Sequence, residues 1–328
     1  MAGGQERVLR RRIKSVQSTK KITRAMELIA ATRVVKAQER ANAARPYSQQ
    51  ITNVILDLVG LGAQSDHPLL RKSDEPRRSA FVVVTSDRGL CGAYNSAVIR
   101  AAERELVARK AEGQDYALVL IGKKANSYFR FRNYDIAASF YDLTDRPDYE
   151  DARAVSVAVR EMFEAGEVDT VDLVYQRFIS AGAQEVVVRR FLPLETQEAD
   201  SNGGAVEPHA SIEFDPSPNV ILDELLPRYV EARLFAALLD ASASEHAARQ
   251  RAMKAATDNA EELIISLSRI MNRARQDAIT TEIMEIVGGA EALKGDQSGP
   301  EDLLPDYLAP QHLFAQHLDA TDTQPSLH

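Results

Sequence analysis

The one cysteine of the chain, Cys91, lies between Gly89 and Gly92 in the stretch SDRGLCGAYN (86–95), directly after the apolar run FVVVT. A strand leading through glycines into a helix can cradle phosphate on backbone N–H groups. A cysteine beside a base can be a nucleophile, and glycines can simply close a sharp turn. The spacing speaks against phosphate: Gly89 and Gly92 form G-x-x-G, neither nucleotide fingerprint, and no Lys or Ser/Thr follows to reach phosphate or magnesium. A nucleophilic thiol needs a base, yet His67, His209, His246, His312, His317 and His328 all fall in expected linkers, the tail or a long helix. No second carboxylate joins Asp87 and Arg88 in a motif for acid/base work, and the histidines lack metal-ligand spacing. The residues favour a tight turn, with Cys91 as a small apolar plug, and imply no catalytic group, no cofactor and no metal.

The elements around this turn fall into two textures. Between residues 78 and 195, short β-branched runs (FVVVTSD, YALVLIG, YDIAASF, VDLVYQRFI, QEVVVRRFL) alternate with helical patterns such as NSAVIRAAERELVARKAEG and DYEDARAVSVAVREMFEAG. That alternation predicts an α/β domain with a mainly parallel sheet. Outside it the chain reads as long helices. One spans 1–60, with no glycine from Gln5 to Leu58 and an apolar face through Ile22, Met26 and Ile29, then Ala30, Val34, Ala37, Ala41 and Ala44. The other spans 219–288, where Met253, Ala256, Ala260, Leu263, Leu267, Ile270 and Ala274 repeat at 3-4 spacing as a coiled-coil seam. Pro227 predicts a kink near its start. The tail 294–328, with its prolines and no sustained period, predicts a disordered or loosely docked segment.

Composition sets the outer bounds. The hydrophobic fraction of 45% suffices for a core, and no apolar run reaches the ~20 residues of a membrane span. The net charge of −8 is unevenly spread: residues 1–50 hold twelve Lys and Arg against three Glu, so the remainder is strongly acidic. A basic helix in an acidic protein suits a nucleic-acid arm, a membrane surface or an acidic protein face. On the residues alone, a dinucleotide enzyme, a coiled-coil scaffold and a nucleic-acid-binding arm stay open.

Four stretches carry a resemblance. RRIKSVQSTKKITRAMELIAATRV, SDRGLCG, AMKAATDNA (252–260) and ARQDAITTEIMEIVGGAEAL (274–293) occur in the order found in the gamma subunit of rotary proton-translocating ATP synthases. The resemblance implies an antiparallel coiled coil of the two terminal helices with an inserted Rossmann-like α/β domain. It implies a shaft inside a ring of alternating alpha and beta subunits, with a foot on the epsilon subunit and the membrane c-ring. It implies catalysis in the partners, no nucleic acid, and a peripheral place at the cytoplasmic face of the cell membrane. By the same resemblance, Met26 passes the beta subunits' lever region, and Lys20, Lys21 and Arg24 supply positive charge toward acidic beta-subunit loops. Arg88, Leu90 and Cys91 form a junction facing the beta subunits. Gln276 and Thr280 contact a beta-subunit loop, and Phe214 and Asp215 belong to the c-ring-facing turn. Pro227 and the residues after Leu293 depart from the family pattern.

Overall fold

The computed structural model describes residues 2–60, 67–71, 73, 75–194 and 217–295. They divide into two compact units. The larger comprises the described residues between Val16 and Glu262, and the smaller joins the chain's beginning through Ser15 to the residues from Leu263 onward.

The larger unit is built on a five-stranded sheet of order β3-β2-β1-β4-β5. Its strands are β1 (Arg78–Val84), β2 (Asp115–Ile121), β3 (Ala138–Phe140), β4 (Thr170–Phe178) and β5 (Gln184–Leu192). β1 pairs in parallel with β2 and β4, β2 in parallel with β3, and β5 closes one edge antiparallel to β4. Three helices cover the sheet: α2 (Tyr94–Ala111), α3 (Lys123–Phe131) and α4 (Tyr149–Glu164). The period of two assigns the faces. Phe81, Val83, Leu118 and Leu120 pack under α2 and α3. Val82, Val84, Val119 and Ile121 face the other way, against α4, the end of α1 (Ala2–Gly60) and the first part of α5 (Pro218–Gly295). Burial on both faces is why β1 and β2 read as continuous apolar runs. α4 starts cleanly because Asp148 and Asp151 form a reciprocal capping box, Asp148 Oδ1 accepting from the Tyr149 N–H at 2.7 Å.

Helix α3 is absent from the sequence reading, since KKANSYFRF carries too few apolar residues to advertise itself. β3 keeps only three of the residues of its apolar run. α5 is continuous through Pro227, and α1 through Pro46.

Two pairs give the direction of α1 against α5 inside the larger unit. Thr257 Oγ1 donates to Thr23 Oγ1 at 2.8 Å, and Lys20 Nζ meets Glu261 Oε2 at 3.1 Å. Falling numbers on one helix match rising numbers on the other, so the helices run antiparallel. The buried stripe of α1 keeps Ala30, Val34 and Ala37 of the expected face but corrects its start: Ile22 and Ile29 are 60% and 54% exposed, while Thr23 and Glu27 are buried. The stripe turns that way because the threonine pair satisfies its hydroxyls across the seam and Arg24 holds Glu27 at 2.8 Å. In the smaller unit, Ile13 of α1 and Leu267 of α5 are buried, but Leu263 and Ile270, expected in the seam, are exposed, with Ile264 and Met271 half-buried instead. A straight helix of 3.6 residues per turn drifts from a strict 3-4 repeat, which displaces those two positions.

Candidate functional site

The turn Ser86–Asn95 links β1 to α2 and is held from three sides. Asp87 ties it to the sheet's end: Oδ1 accepts from the Lys123 N–H at the start of α3, and Oδ2 accepts from the Thr144 hydroxyl, both at 3.1 Å. Asn95 closes it from within, taking the Ser86 N–H on Oδ1 at 2.8 Å and donating from Nδ2 to the Ser86 hydroxyl at 2.8 Å and to Cys91 Sγ at 3.1 Å. Helix α5 forms the third side. Arg249 donates to the carbonyls of Arg88 and Gly89 at 3.4 Å, the Tyr94 hydroxyl donates to the Ala241 carbonyl at 3.2 Å, and Cys91 and Tyr94 pack on Ala248. Gly92, at φ 59°, faces Ala252. Beside the turn, a Cβ on Gly122 would lie 2.2 Å from the Thr85 carbonyl oxygen, so only glycine lets the ends of β1 and β2 approach this closely.

This geometry bears on the three chemistries. The N–H groups of Ser86 and Asp87 are spent on Asn95 and Thr144, which takes those two away from a phosphate. Cys91 is buried, and burial pushes its thiol pKa up despite the Ser86 contact and nearby Arg249. Its hydrogen-bond partners, Asn95, Ser86 and the Arg88 carbonyl, are not bases that could activate it. Of the three turn residues expected to face a partner, Arg88 and Leu90 are exposed, whereas the Cys91 side chain points inward and plugs the seat on α5. Leu90 is 61% exposed and sits at φ 64°. An apolar side chain is thus held outward on a backbone conformation that costs roughly 1–2 kcal/mol for a residue with a Cβ.

Beneath the turn lies a polar cluster that the sequence reading missed. Ser242, Glu245, His246 and Arg249 of α5 are all buried. Arg249 Nη2 donates to Glu245 Oε1 at 2.6 Å. His246 Nε2 lies 3.0 Å from the Asp145 carbonyl, and because a carbonyl only accepts, Nε2 carries the proton and Nδ1 takes the Arg249 Nη1 donor at 3.3 Å. Burial lowers the His246 pKa and raises that of Glu245, with Arg249 opposing the latter. From α1, Arg33 binds the Asp145 carboxylate and Arg40 the Pro147 carbonyl. The loop between β3 and α4 therefore holds both long helices within the larger unit. Asp145, Glu245 and His246 bring ligand atoms within 4.8 Å of one another. Two guanidinium groups already neutralise those carboxylates, which makes this an ion-pair lock rather than a metal cage. The only signal in the sequence was the polar residues of SASEHAAR directly after the mostly apolar stretch LFAALLDA.

The remaining expected contacts are scattered. Lys20 pairs with Glu261 and Arg24 with Glu27, Lys21 is exposed, and Met26 is half-buried. Gln276 and Thr280, in the smaller unit, are both exposed. Phe214 and Asp215 lie outside the described residues.

Turn and cluster together define a class: an α/β body whose glycine-containing turn seats a long helix. A family model described as ATP synthase matches residues 5–293. A curated relative, the ATP synthase gamma chain of Parafrankia sp. (strain EAN1pec), is 51% identical, covering 88% of this chain and 98% of the relative. That of Streptomyces coelicolor is 46% identical over 91% of this chain and 99% of the relative. Among solved structures, the central stalk and c-ring of the Tetrahymena thermophila mitochondrial ATP synthase matches with TM-score 0.54 and 25% identity, over 72% of this chain and 99% of that one. The Euglena gracilis mitochondrial ATP synthase shares the fold at TM-score 0.65 and 19% identity, over 90% and 97% of the two chains. The chain belongs to the ATP synthase gamma chain family. It is a non-catalytic stalk subunit.

Proposed function

We propose that the chain is the central rotor of an ATP synthase, coupling proton-driven rotation of a c-ring to the conformational cycle of catalytic beta subunits. The observation that carries this reading is the end of α5. Ile279, Ile283, Met284, Ile286, Val287 and Leu293 are exposed by between 46% and 73%, leaving an apolar helix surface that the described chain does not cover. A helix with apolar residues on several sides is buried in its working state. A ring of alternating alpha and beta subunits supplies the cover, with Gln276 and Thr280 as its polar contacts and Lys20, Lys21, Arg24, Met26, Arg88 and Leu90 as further contacts. The α/β body meets the epsilon subunit and the c-ring, Phe214 and Asp215 included.

No described helix is long and apolar enough to cross a membrane, so the proposed place is peripheral, at the cytoplasmic face of the cell membrane through the partners. The test is purification of the complex from membranes with an affinity tag on this chain, followed by proton pumping per ATP hydrolysed. Alpha, beta, epsilon and c subunits should co-purify, and pumping should be lost when the chain is depleted and regained when it is restored. Recovery of the tagged chain without beta subunits would overturn the reading.

A further inference from the structure

The surface of the larger unit beside α2 and α3 is concave and basic. Two adjacent depressions, of about 740 and 530 Å³, share Val107, Arg132 and Tyr134. Arg100 and Arg104 line the first and Lys110 the second. The one carboxylate in the lining, Glu103, is already taken by the hydroxyls of Tyr128 at 3.0 Å and Tyr134 at 3.2 Å and by Arg132 at 3.3 Å. In a chain of net charge −8 this is a local excess of cations, and among the described residues Arg100 and Arg104 meet no carboxylate. Apolar surface adjoins it: Phe131 is 84% exposed and Val107 62%.

We infer that this surface is a docking groove for an extended acidic segment of a neighbouring subunit, one that carries at least one apolar side chain. The inference rests on the reading that the chain works inside a multi-subunit assembly. Charge complementarity selects carboxylates, because arginines lining a concavity and lacking a partner favour planar, bidentate anions. The adjoining apolar residues select a polypeptide. A free phosphate or nucleotide would satisfy the arginines and leave Phe131 and Val107 wet, whereas an acidic segment with an aliphatic or aromatic residue covers both. The two depressions are contiguous, so the occupant is elongated. An exposed aromatic beside cations is also the composition that anchors protein interfaces.

The experiment places the photo-reactive aromatic p-benzoylphenylalanine at Phe131, an exposed and already aromatic position, in the full chain within the purified complex. Irradiation should yield one adduct with a partner subunit, and the cross-linked peptide should hold Asp or Glu within a few residues of the attachment point. Arg100→Glu with Arg104→Glu, both at exposed positions, should lower the yield by about tenfold with subunit composition unchanged. Raising ionic strength from about 0.05 to about 0.5 M should lower it in the unaltered complex. An adduct with lipid, an adduct with this chain's own residues 195–216, no adduct, or a yield indifferent to the charge reversal would each overturn the proposal. Failure of the tagged chain to co-purify with beta subunits sinks the rotor reading. An assembled complex whose groove stays unlabelled sinks only this inference.

Discussion

Two stretches of α5 invert the usual rule. Around Ala241 to Arg249, in the larger unit, the helix is buried nearly all round, and Ser242, Glu245, His246 and Arg249 are interior. From Ile279 to Leu293, in the smaller unit, every side chain is exposed, and six of them are large and apolar. The polar groups of the cluster are tolerated because they find partners, Arg249 for Glu245 Oε1 and the Asp145 carbonyl for His246 and Ser242, although Ser244 Oγ and Glu245 Oε2 are buried without a hydrogen bond. Apolar groups outside have no such remedy within the described chain. The first stretch is therefore completed by its own fold, and the second, on the proposed rotor reading, by an assembly. Stability of the isolated chain should answer to the first alone.

The largest effect should follow from breaking the buried ion pair. Arg249→Leu leaves Glu245 interior without its cation and frees the turn's two carbonyls, so it should cost about 3–5 kcal/mol in urea unfolding of the isolated chain. Adding Glu245→Leu should recover most of that loss, since the unpaired charge is then gone. If Arg249→Leu alone costs under about 1 kcal/mol, the lock is not what completes this stretch.

Next comes a carboxyl that the fold penalises. Burial raises Asp240 from 3.8 to about 6, against opposition from Arg45 and Arg177. The folded chain thus holds a proton that the unfolded chain has already lost between those values, so stability falls as pH rises through that window. Asp240→Asn should be neutral near pH 3.5 and stabilising by up to about 3 kcal/mol above pH 7. Urea midpoints of both proteins across this range check it, and parallel pH profiles would refute it.

How much of this contrast was legible in the sequence follows from its physics. The strands announced themselves because burial on both faces makes β1 and β2 nearly all apolar. The SDRGLCG turn and the motif of the last helix were recognisable by resemblance, and the arguments against phosphate binding and thiol chemistry could be made from spacing. The seam was readable in period and in most of its phase, since Ala30, Val34, Ala37, Met253, Ala260 and Leu267 are buried, but not at every position. Ile22, Ile29, Leu263 and Ile270 look like core residues and are exposed, while Thr23 and Glu27 look like surface and are buried. A hydropathy pattern cannot see a hydroxyl pair satisfied across 234 residues of sequence. The lock was illegible for the same reason, since its members come from α1, the β3–α4 loop and α5 and mean something only once juxtaposed.

A smaller effect should appear at the turn, where the outward-pointing Leu90 resembles the exposed end of α5. Leu90→Gly relieves the left-handed backbone at φ 64° but adds freedom to the unfolded chain. The net should be a stabilisation of about 0.5–1 kcal/mol in the isolated chain. If the residue is retained for a contact, the same variant should lower proton pumping per ATP in the complex. A gain in both would mean that Leu90 is strain without purpose.

The smallest expected change in the isolated chain is also the sharpest discriminator between the two stretches. Ile283 and Ile286 are 53% and 66% exposed and touch no buried cluster. Glutamine propagates a helix at least as well as isoleucine, so Ile283→Gln with Ile286→Gln removes apolar surface without weakening α5. Unfolding of the isolated chain should shift by no more than about 0.5 kcal/mol, the usual range for exposed sites. In the assembled complex the same pair should weaken seating of the helix and lower ATP turnover several-fold, because the side chains then bring amides into a surface meant for hydrocarbon. Measuring both quantities on one preparation separates the explanations. A loss of stability in the isolated chain would show that the chain covers this surface itself. An unchanged turnover would show that the exposed apolar end of α5 is not a bearing surface at all.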